Sequence, residues 1–212
     1  MSFLKPFFSS QTHLSYPEEW LDHDASHLDY VVIDCEMTGL NPRKDKLLSI
    51  AAVKISNGHI LTDSAFYEVI QQDPSKLKTE TILIHRLNHE TIASGKDQAH
   101  IIEELYKFCE GSIPVGHFFD IDLDFLPKDK QFSYPHLDTR DLAHNLLSKH
   151  YPKGCLANEL QLKKLTQHFS LPSFTAHHAL SDVCSTACLF LKLLQEFKNH
   201  KIITLKSFCE LR

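Results

Sequence analysis

The pattern of hydrophobic and polar positions predicts strands in the first part of the chain. The run YVVID, which begins at Tyr30, is short, apolar and β-branched, as is typical of a strand buried on both faces. Residues 47–55 (LLSIAAVKI) predict a second strand, and HILTDSAFYEVI, from His59, predicts a third. Asn57-Gly58 between them is a strong signal for a two-residue hairpin turn. These strands therefore indicate an antiparallel start to a sheet.

A period near 3.6 replaces this pattern further along and predicts helices. The segment DQAHIIEELYKFCE has one apolar stripe, formed by Ala99, Ile102, Leu105, Tyr106 and Cys109. Gly111 then marks a helix end, and IPVGH predicts a fourth short strand. Further helices are predicted in DTRDLAHNLLSK, NELQLKKLTQHFS and ALSDVCSTACLFLKLLQEF. Strands first, then strands alternating with helices, predict an α/β fold in which helices cover a mixed sheet.

The same pattern divides the chain into three parts. Residues 1–28 lack helical or strand periodicity and are interpreted as an N-terminal arm, and residues 198–212 as a C-terminal tail. The domain lies between them, at 29–197. The chain has 212 residues, which suits one domain with short appendages, and its 42% of hydrophobic residues can form a full core.

Charge and cysteine content narrow the classes of protein. The net charge is −5 and no basic run is present, so high-affinity binding to a long duplex is not expected. A nucleic-acid substrate would be held through a few nucleotides, or with help from a partner. Six cysteines without a C-x-x-C pair indicate a reduced compartment. With no apolar run near the ~18 residues that span a bilayer, we predict a cytoplasmic protein that does not bind membranes.

Two carboxylates follow the first strand directly. Asp34 and Glu36 are two residues apart, so they project from the same face of a strand. Anions this close in a partly dry site repel each other, and one of them must be protonated or a cation must lie between them. All-oxygen ligands suit Mg²⁺ or Mn²⁺. Two solvated acids at a strand end are the alternative.

Two later segments carry further candidates. GHFFDIDLDF has acids at 120, 122 and 124, and their spacing alone does not choose among them. In HHALSD, Asp182 falls in the first turn of a strongly apolar helix, where an acid is unusual unless it is capped or liganded. A favourable interaction with the helix dipole is the structural alternative. The histidines that precede Asp182 are suited to general-base chemistry.

Three motifs in this order resemble the DEDD exonuclease family. VVIDCEMTGLNPRKDKLLSIAAV is similar to its D-x-E-x-T-G-L-x-P segment, VGHFFDIDLDFL to its G-H/N…D-x-x-F-L segment, and HHALSD fits H-x-A-x-x-D. The match is to the histidine-bearing (DEDDh, DnaQ-like) branch, which includes the proofreading subunit of bacterial DNA polymerase III, ribonuclease T and oligoribonuclease. It covers about residues 29–195. The chain departs from the family at Phe118, where relatives often carry Asn, and at Ser49, where many carry Glu.

The resemblance implies a ribonuclease H-like fold with a mixed five-stranded sheet, and a 3′-to-5′ exonuclease that releases nucleoside 5′-monophosphates. It implies two divalent cations, Mg²⁺ or Mn²⁺, as cofactors. Asp34 would bridge both ions, Glu36 and Asp182 would complete one site, and Asp122 would hold the second ion. His177, not His178, would be the general base. Contacts to the 3′ end are implied for Met37, Thr38, Gly39, Leu40 and His117.

Other interpretations stay open at this stage. The domain could be a non-catalytic scaffold of the same fold, or a phosphodiesterase that acts on small nucleotides. Single-stranded DNA and RNA 3′ ends are both compatible with the motifs. So are a homodimer and a complex with another protein.

Overall fold

The computed structural model describes residues 15–77, 87–148, 157–172, 174 and 178–209. Its strands are β1 (Tyr30–Met37), β2 (Leu47–Ser56), β3 (His59–Val69), β4 (Ile113–Gly116) and β5 (Leu137–Asp138). Its α-helices are α1 (Glu18–Leu21), α2 (His89–Ala93), α3 (Gln98–Phe108), α4 (Asp120–Phe125), α5 (Thr139–Ser148), α6 (Leu162–His168), α7 (Ala179–Asn199) and α8 (Leu205–Cys209). Short 3-10 helices lie at Ala25–His27, Pro74–Lys76 and Ala157–Leu160.

The five strands form one mixed sheet in the order β3-β2-β1-β4-β5. β2 is antiparallel to both β1 and β3, whereas β4 runs parallel to β1 and β5 parallel to β4. Asn57 and Gly58 have φ values of 48° and 74°, the left-handed conformation that this kind of tight hairpin requires. The predicted antiparallel start of the sheet and its hairpin are confirmed.

The side chains of β1 alternate between two cores. Tyr30 and Val32 belong to a core cluster that includes α7, and Val31 and Ile33 belong to a second one that includes α3. Full burial of an apolar side chain of this size stabilises the fold by about 1.5–3 kcal/mol. Because the alternation continues along the strand, the carboxylates that follow Val32 by two and four residues lie on the face that α7 covers.

Helix α7 is the main cover of that face. It packs against β1 and β2, and the ring of Phe190 meets the ring of Tyr30 edge-on with centroids 4.7 Å apart. Its buried residues recur at helical spacing from Ala179 to Phe197, as the apolar sequence predicts. The first turn of α7 is therefore fixed relative to β1.

Two predicted helices differ from the structure. In α3 the buried side chains are Ile101, Ile102 and Leu105, and Ala99 is exposed because it lies outside the arc that these residues define. The segment NELQLKKLTQHFS is not one helix. Gln161 is extended (ψ 140°) and separates a 3-10 turn from α6. This break lets Leu160 and Leu165, which a continuous helix would point in different directions, both enter the same core.

The described parts of the two terminal segments pack on each other. The N–H of Ala25 donates to the carbonyl of Ile203 (2.8 Å), and the N–H of Leu205 donates to that of His23 (3.2 Å). Lys198 pairs with Asp24 at 2.8 Å. Residues 1–14 and 210–212, the remainder of the predicted arm and tail, lie outside the described residues.

Within the described ranges, no helix is both long enough and apolar enough to cross a membrane. Among the residues that the structure describes, the cysteines at positions 35, 109, 184 and 188 are free thiols.

Candidate active site

Three carboxylates converge at the end of β1. Asp34 and Glu36 come from one face of the strand, and Asp182 comes from the first turn of α7, which packs on that face. One oxygen from each of the three lies within 4.8 Å of the other two. The strand alternation and the helix start, which the sequence predicts separately, thus bring these side chains together.

The electrostatics of this cluster favour a bound cation. Burial raises the pKa of Asp34 well above its ordinary value, and the neighbouring charges of Asp122, Glu36 and Asp182 raise it further. A carboxylate group in this position is costly without a positive charge beside it. Hard divalent ions such as Mg²⁺ and Mn²⁺ prefer oxygen ligands of this kind, so the residues fit the metal that the family implies.

Asp122 lies close to the cluster and contacts the backbone of β1. Its side chain is 6% exposed, and its Oδ1 accepts a hydrogen bond from the N–H of Cys35 at 2.8 Å. Burial raises the pKa of Asp122 to about 7, although the bond from Cys35 acts in the opposite direction. The side chains of Asp120 and Asp124 are 43% and 61% exposed, so the structure separates Asp122 from its acidic neighbours. Asp122 does not belong to the group of three oxygens within 4.8 Å.

His177 lies outside the described residues, so its position relative to the carboxylates is a prediction. The next residue, His178, precedes α7, and its carbonyl accepts hydrogen bonds from the N–H groups of Ser181 and Asp182. The His178 ring stacks on Tyr67 with centroids 5.2 Å apart. Since the ring of His178 is held against β3, the structure gives it a packing role.

His117 lies at the end of β4 and is half-buried. Its Nδ1 lies 2.8 Å from the hydroxyl oxygen of Thr139. Burial lowers the pKa of His117 to about 4. A hydrogen bond with the backbone of Leu160 raises this pKa, but by less than burial lowers it. The imidazole is therefore neutral at neutral pH and is suited to hydrogen bonding rather than to ion pairing with a phosphate.

The other residues for which substrate contacts are implied are Met37, the last residue of β1, and the turn that follows it. Asp45 closes this turn, since its Oδ2 accepts from the N–H of Asn41 (2.8 Å) and its Oδ1 from the hydroxyl of Thr38 (3.3 Å). The N–H of Thr38 donates to the carbonyl of Lys46 (2.9 Å), so it is engaged within the turn. A Cβ atom at Gly39 would overlap the Asp45 carboxylate, which explains the glycine. Leu40 is 73% exposed, and its contact with a substrate stays a prediction.

One acidic residue near the site was not identified from the sequence. Asp138, at the end of β5, is 9% exposed and accepts hydrogen bonds from the backbone of the turn between β4 and α4. The sequence DTRDL predicts a helix cap, and the N–H of Arg140 does donate to Asp138 (2.8 Å). The bonds across the sheet join residues about 20 positions apart, and local spacing gives no signal for them.

Comparison with known proteins places the chain in a family. Residues 31–190 match the family model RNase_T, which is described as an exonuclease. The chain belongs to this exonuclease family, which confirms the resemblance seen in the motifs.

The relatives include proteins named as DNA polymerase III or as one of its subunits. The chain is 27% identical to the PolC-type DNA polymerase III of Thermotoga petrophila, an alignment that covers 99% of this chain and 15% of that protein. It is 28% identical to the DNA polymerase III subunit epsilon of Aquifex aeolicus, over 79% of this chain and 81% of that protein. The chain thus spans only a small part of the PolC-type relatives.

Solved structures share the fold. Escherichia coli exonuclease I in complex with a dT13 oligonucleotide superposes with a TM-score of 0.68 at 14% identity, over 82% of this chain and 43% of that chain. Cell-death related nuclease 4 superposes with a TM-score of 0.66 at 14% identity, over 80% and 64% of the two chains. The predicted α/β fold, a ribonuclease H-like mixed five-stranded sheet flanked by helices, is confirmed.

Proposed function

We propose that this chain is a metal-dependent 3′-to-5′ exonuclease that releases nucleoside 5′-monophosphates from single-stranded ends. The observation that carries the proposal is the cluster of Asp34, Glu36 and Asp182, with oxygens within 4.8 Å of one another, in a fold of the exonuclease family. Asp122, buried beside the same strand, completes the set of four acids.

We assign the residue roles from the family resemblance, and the positions of the described acids support them. Asp34, whose pKa is raised by the charges of all three other acids, would contact both cations, Glu36 and Asp182 would hold one, and Asp122 would hold the other. When bound, a pair of divalent ions stabilises the entering and leaving oxygens of an in-line displacement at phosphorus. His177 would accept the proton of the attacking water. Leu40, exposed at the tip of the first turn, would pack against the terminal base.

DNA is the substrate that we propose for this site. Support comes from the relatives that are named as DNA polymerase III components, and from the fold shared with an exonuclease I bound to a DNA oligonucleotide. The chain's net charge of −5 favours substrates held through few phosphates, hence short or single-stranded ends. We propose Mg²⁺ as the metal, with Mn²⁺ as a substitute.

The test is digestion of matched single-stranded DNA, duplex DNA and short RNA, each labelled at the 5′ end, with Mg²⁺ or with EDTA. We expect a ladder that shortens from the 3′ end, free 5′-mononucleotides, faster loss of DNA than of RNA, and no reaction in EDTA. Faster loss of RNA would overturn the DNA assignment alone. Failure to release mononucleotides from any of the three would contradict the exonuclease proposal.

Two alternatives are less well supported. A non-catalytic scaffold does not need four acids at one strand end, yet all four are present. A phosphodiesterase for small nucleotides is compatible with the cluster. Adding a dinucleotide and a nucleotide ester to the same assay separates it, because a phosphodiesterase of this kind would cleave these two while leaving the longer oligonucleotides intact.

Replacement of His177 by Ala should lower kcat by about 10²- to 10⁴-fold, the usual contribution of a general base. His178→Ala is the matched control, because the ring of His178 stacks on Tyr67. The kcat of this variant should stay near that of the wild type.

The wild-type rate should also fall below about pH 6, as His177 is protonated. Reversal of the two phenotypes would make His178 the base, and a rate that stays flat to pH 5 would argue against a histidine base.

A further inference from the structure

The turn that joins β4 to α4 has an unusual backbone. Phe118 has a φ of 57°, in the left-handed region that a bulky residue rarely occupies. The turn is also tight, since a Cβ atom at Gly116 would overlap the ring of Phe119. A conformation of this kind persists only where the surrounding structure holds it in place.

Two consecutive residues hold this turn, Asp138 at the end of β5 and Thr139 at the start of α5. Asp138 accepts from the N–H of Phe118 at Oδ1 (3.2 Å) and from the N–H of Phe119 at Oδ2 (2.9 Å). The hydroxyl of Thr139 donates to the carbonyl of Gly116 (3.0 Å). Because the hydroxyl proton is used there, the same oxygen accepts from Nδ1 of His117, at 2.8 Å. Every residue of the turn, 116–119, is thus bonded to Asp138 or Thr139.

The turn determines where Asp122 lies. Helix α4 begins directly after Phe119, Asp122 is in its first turn, and the Asp122 carboxylate reaches the N–H of Cys35, between the two acids of β1. The helix is short, and within it the side chain of Asp124 is exposed. A shift of the turn would therefore move the Asp122 carboxylate relative to Asp34.

We propose that Asp138 is a positioning residue for the metal centre: its two carboxylate oxygens fix the turn 116–119 and, through α4, the place of Asp122. This inference rests on the proposed function, in which Asp122 holds a cation. In this role Asp138 would act through the turn and not by contact with metal or substrate. A purely structural role would lower stability and the folded fraction but would leave metal affinity per folded molecule unchanged.

The variant Asp138→Asn tests this assignment. Asn keeps the shape of the side chain, but its NH₂ group faces one of the backbone N–H groups, so at least one hydrogen bond is lost. We expect about 10- to 100-fold weaker Mn²⁺ binding and a similar drop in kcat, the usual effect of losing a residue that orients a metal ligand.

The double variant Phe118→Gly/Asp138→Asn gives a second measurement. Glycine adopts a positive φ without strain, so the turn then depends less on Asp138. We expect Mn²⁺ affinity between those of Asp138→Asn and the wild type. Asp124→Asn is the matched control, because this exposed acid of α4 pairs with Lys128 rather than with the turn. Its Mn²⁺ affinity and kcat should equal those of the wild type.

Mn²⁺ binding is measured by electron paramagnetic resonance on the full chain without substrate, and the folded fraction by circular dichroism. Wild-type Mn²⁺ affinity in folded Asp138→Asn would overturn the proposal, as would a loss of kcat fully explained by unfolded protein. If Asp138→Asn does not fold, the double variant is compared with Phe118→Gly, and equal Mn²⁺ affinities in these two proteins would overturn the proposal. The Mn²⁺ measurement contains no nucleic acid, so it tests the role of Asp138 independently of hydrolysis. The exonuclease proposal is tested separately, by whether the wild-type chain hydrolyses any of the oligonucleotides.

Discussion

Replacement of Asp34 by Asn should abolish hydrolysis while the metal-free protein remains as stable as the wild type or becomes more stable. Asp34 is the acid whose pKa is raised by burial and by all three neighbouring acids, so its charge opposes folding when no metal is bound. The same position makes it the central cation ligand. We expect kcat to fall by more than the ~100-fold that is typical for loss of a residue behind a metal ligand.

The measurement pairs oligonucleotide hydrolysis with thermal unfolding in EDTA. Asp124→Asn is the control, since it removes an exposed carboxylate from α4 and should preserve both activity and Tm. A large drop in the Tm of Asp34→Asn would instead mark Asp34 as a structural residue. Activity within tenfold of the wild type would remove it from the metal site.

The same carboxylates should make the metal-free protein less stable as the pH rises. Burial raises the pKa of Asp122 from 3.8 to about 7 and raises that of Asp34 as well. The folded protein therefore binds these protons more tightly than the unfolded chain does. Their contribution to the free energy of unfolding is fully present below about pH 4 and is lost as the pH rises through about 7.

The expected result is a pH-dependent difference in Tm between Asp34→Asn and the wild type, both unfolded in EDTA. His117 and His136, whose pKa values burial lowers, act in the opposite direction over part of this range, but they are common to both proteins. The Tm of Asp34→Asn minus that of the wild type should grow from pH 4 to pH 8. For a chain of this size each kcal/mol corresponds to about 2–4 °C. Mn²⁺ should remove the difference by stabilising the wild type, and a difference that is independent of pH would contradict this account.

The strand and helix periods made most of the fold predictable. Asn57-Gly58 fixes the hairpin because both residues tolerate a positive φ, and the alternation in β1 places Asp34 and Glu36 on one face. The apolar sequence of α7 predicts a buried helix, and Asp182 stands out in it. Local rules were sufficient here because each feature depends on residues a few positions apart.

Features that depend on distant contacts were not predictable. The choice of Asp122 over Asp120 and Asp124 came from the family resemblance, and the structure explains it by burial and by the bond to Cys35. The strand β5 has only two residues, too few for a periodic pattern. Asp138 accepts two hydrogen bonds from the turn before α4. These bonds join the end of β4 to the end of β5, so they form only when the sheet is assembled.

The break at Gln161 has a similar cause. The sequence NELQLKKLTQHFS suits a continuous helix, but the core requires both Leu160 and Leu165, and the chain meets this by leaving helical geometry for one residue. Tertiary packing outweighs helix propensity, whose differences are mostly below ~1 kcal/mol per residue.

The most direct test of the metal centre is anomalous diffraction from crystals of the full chain soaked in Mn²⁺ together with a nucleoside 5′-monophosphate. We predict one Mn²⁺ peak among Asp34, Glu36 and Asp182 and a second beside Asp34 and Asp122, with both lost in Asp34→Asn. Absence of a peak at these carboxylates at saturating Mn²⁺, or peaks that persist unchanged in Asp34→Asn, would contradict the assignment of this cluster as the catalytic metal site.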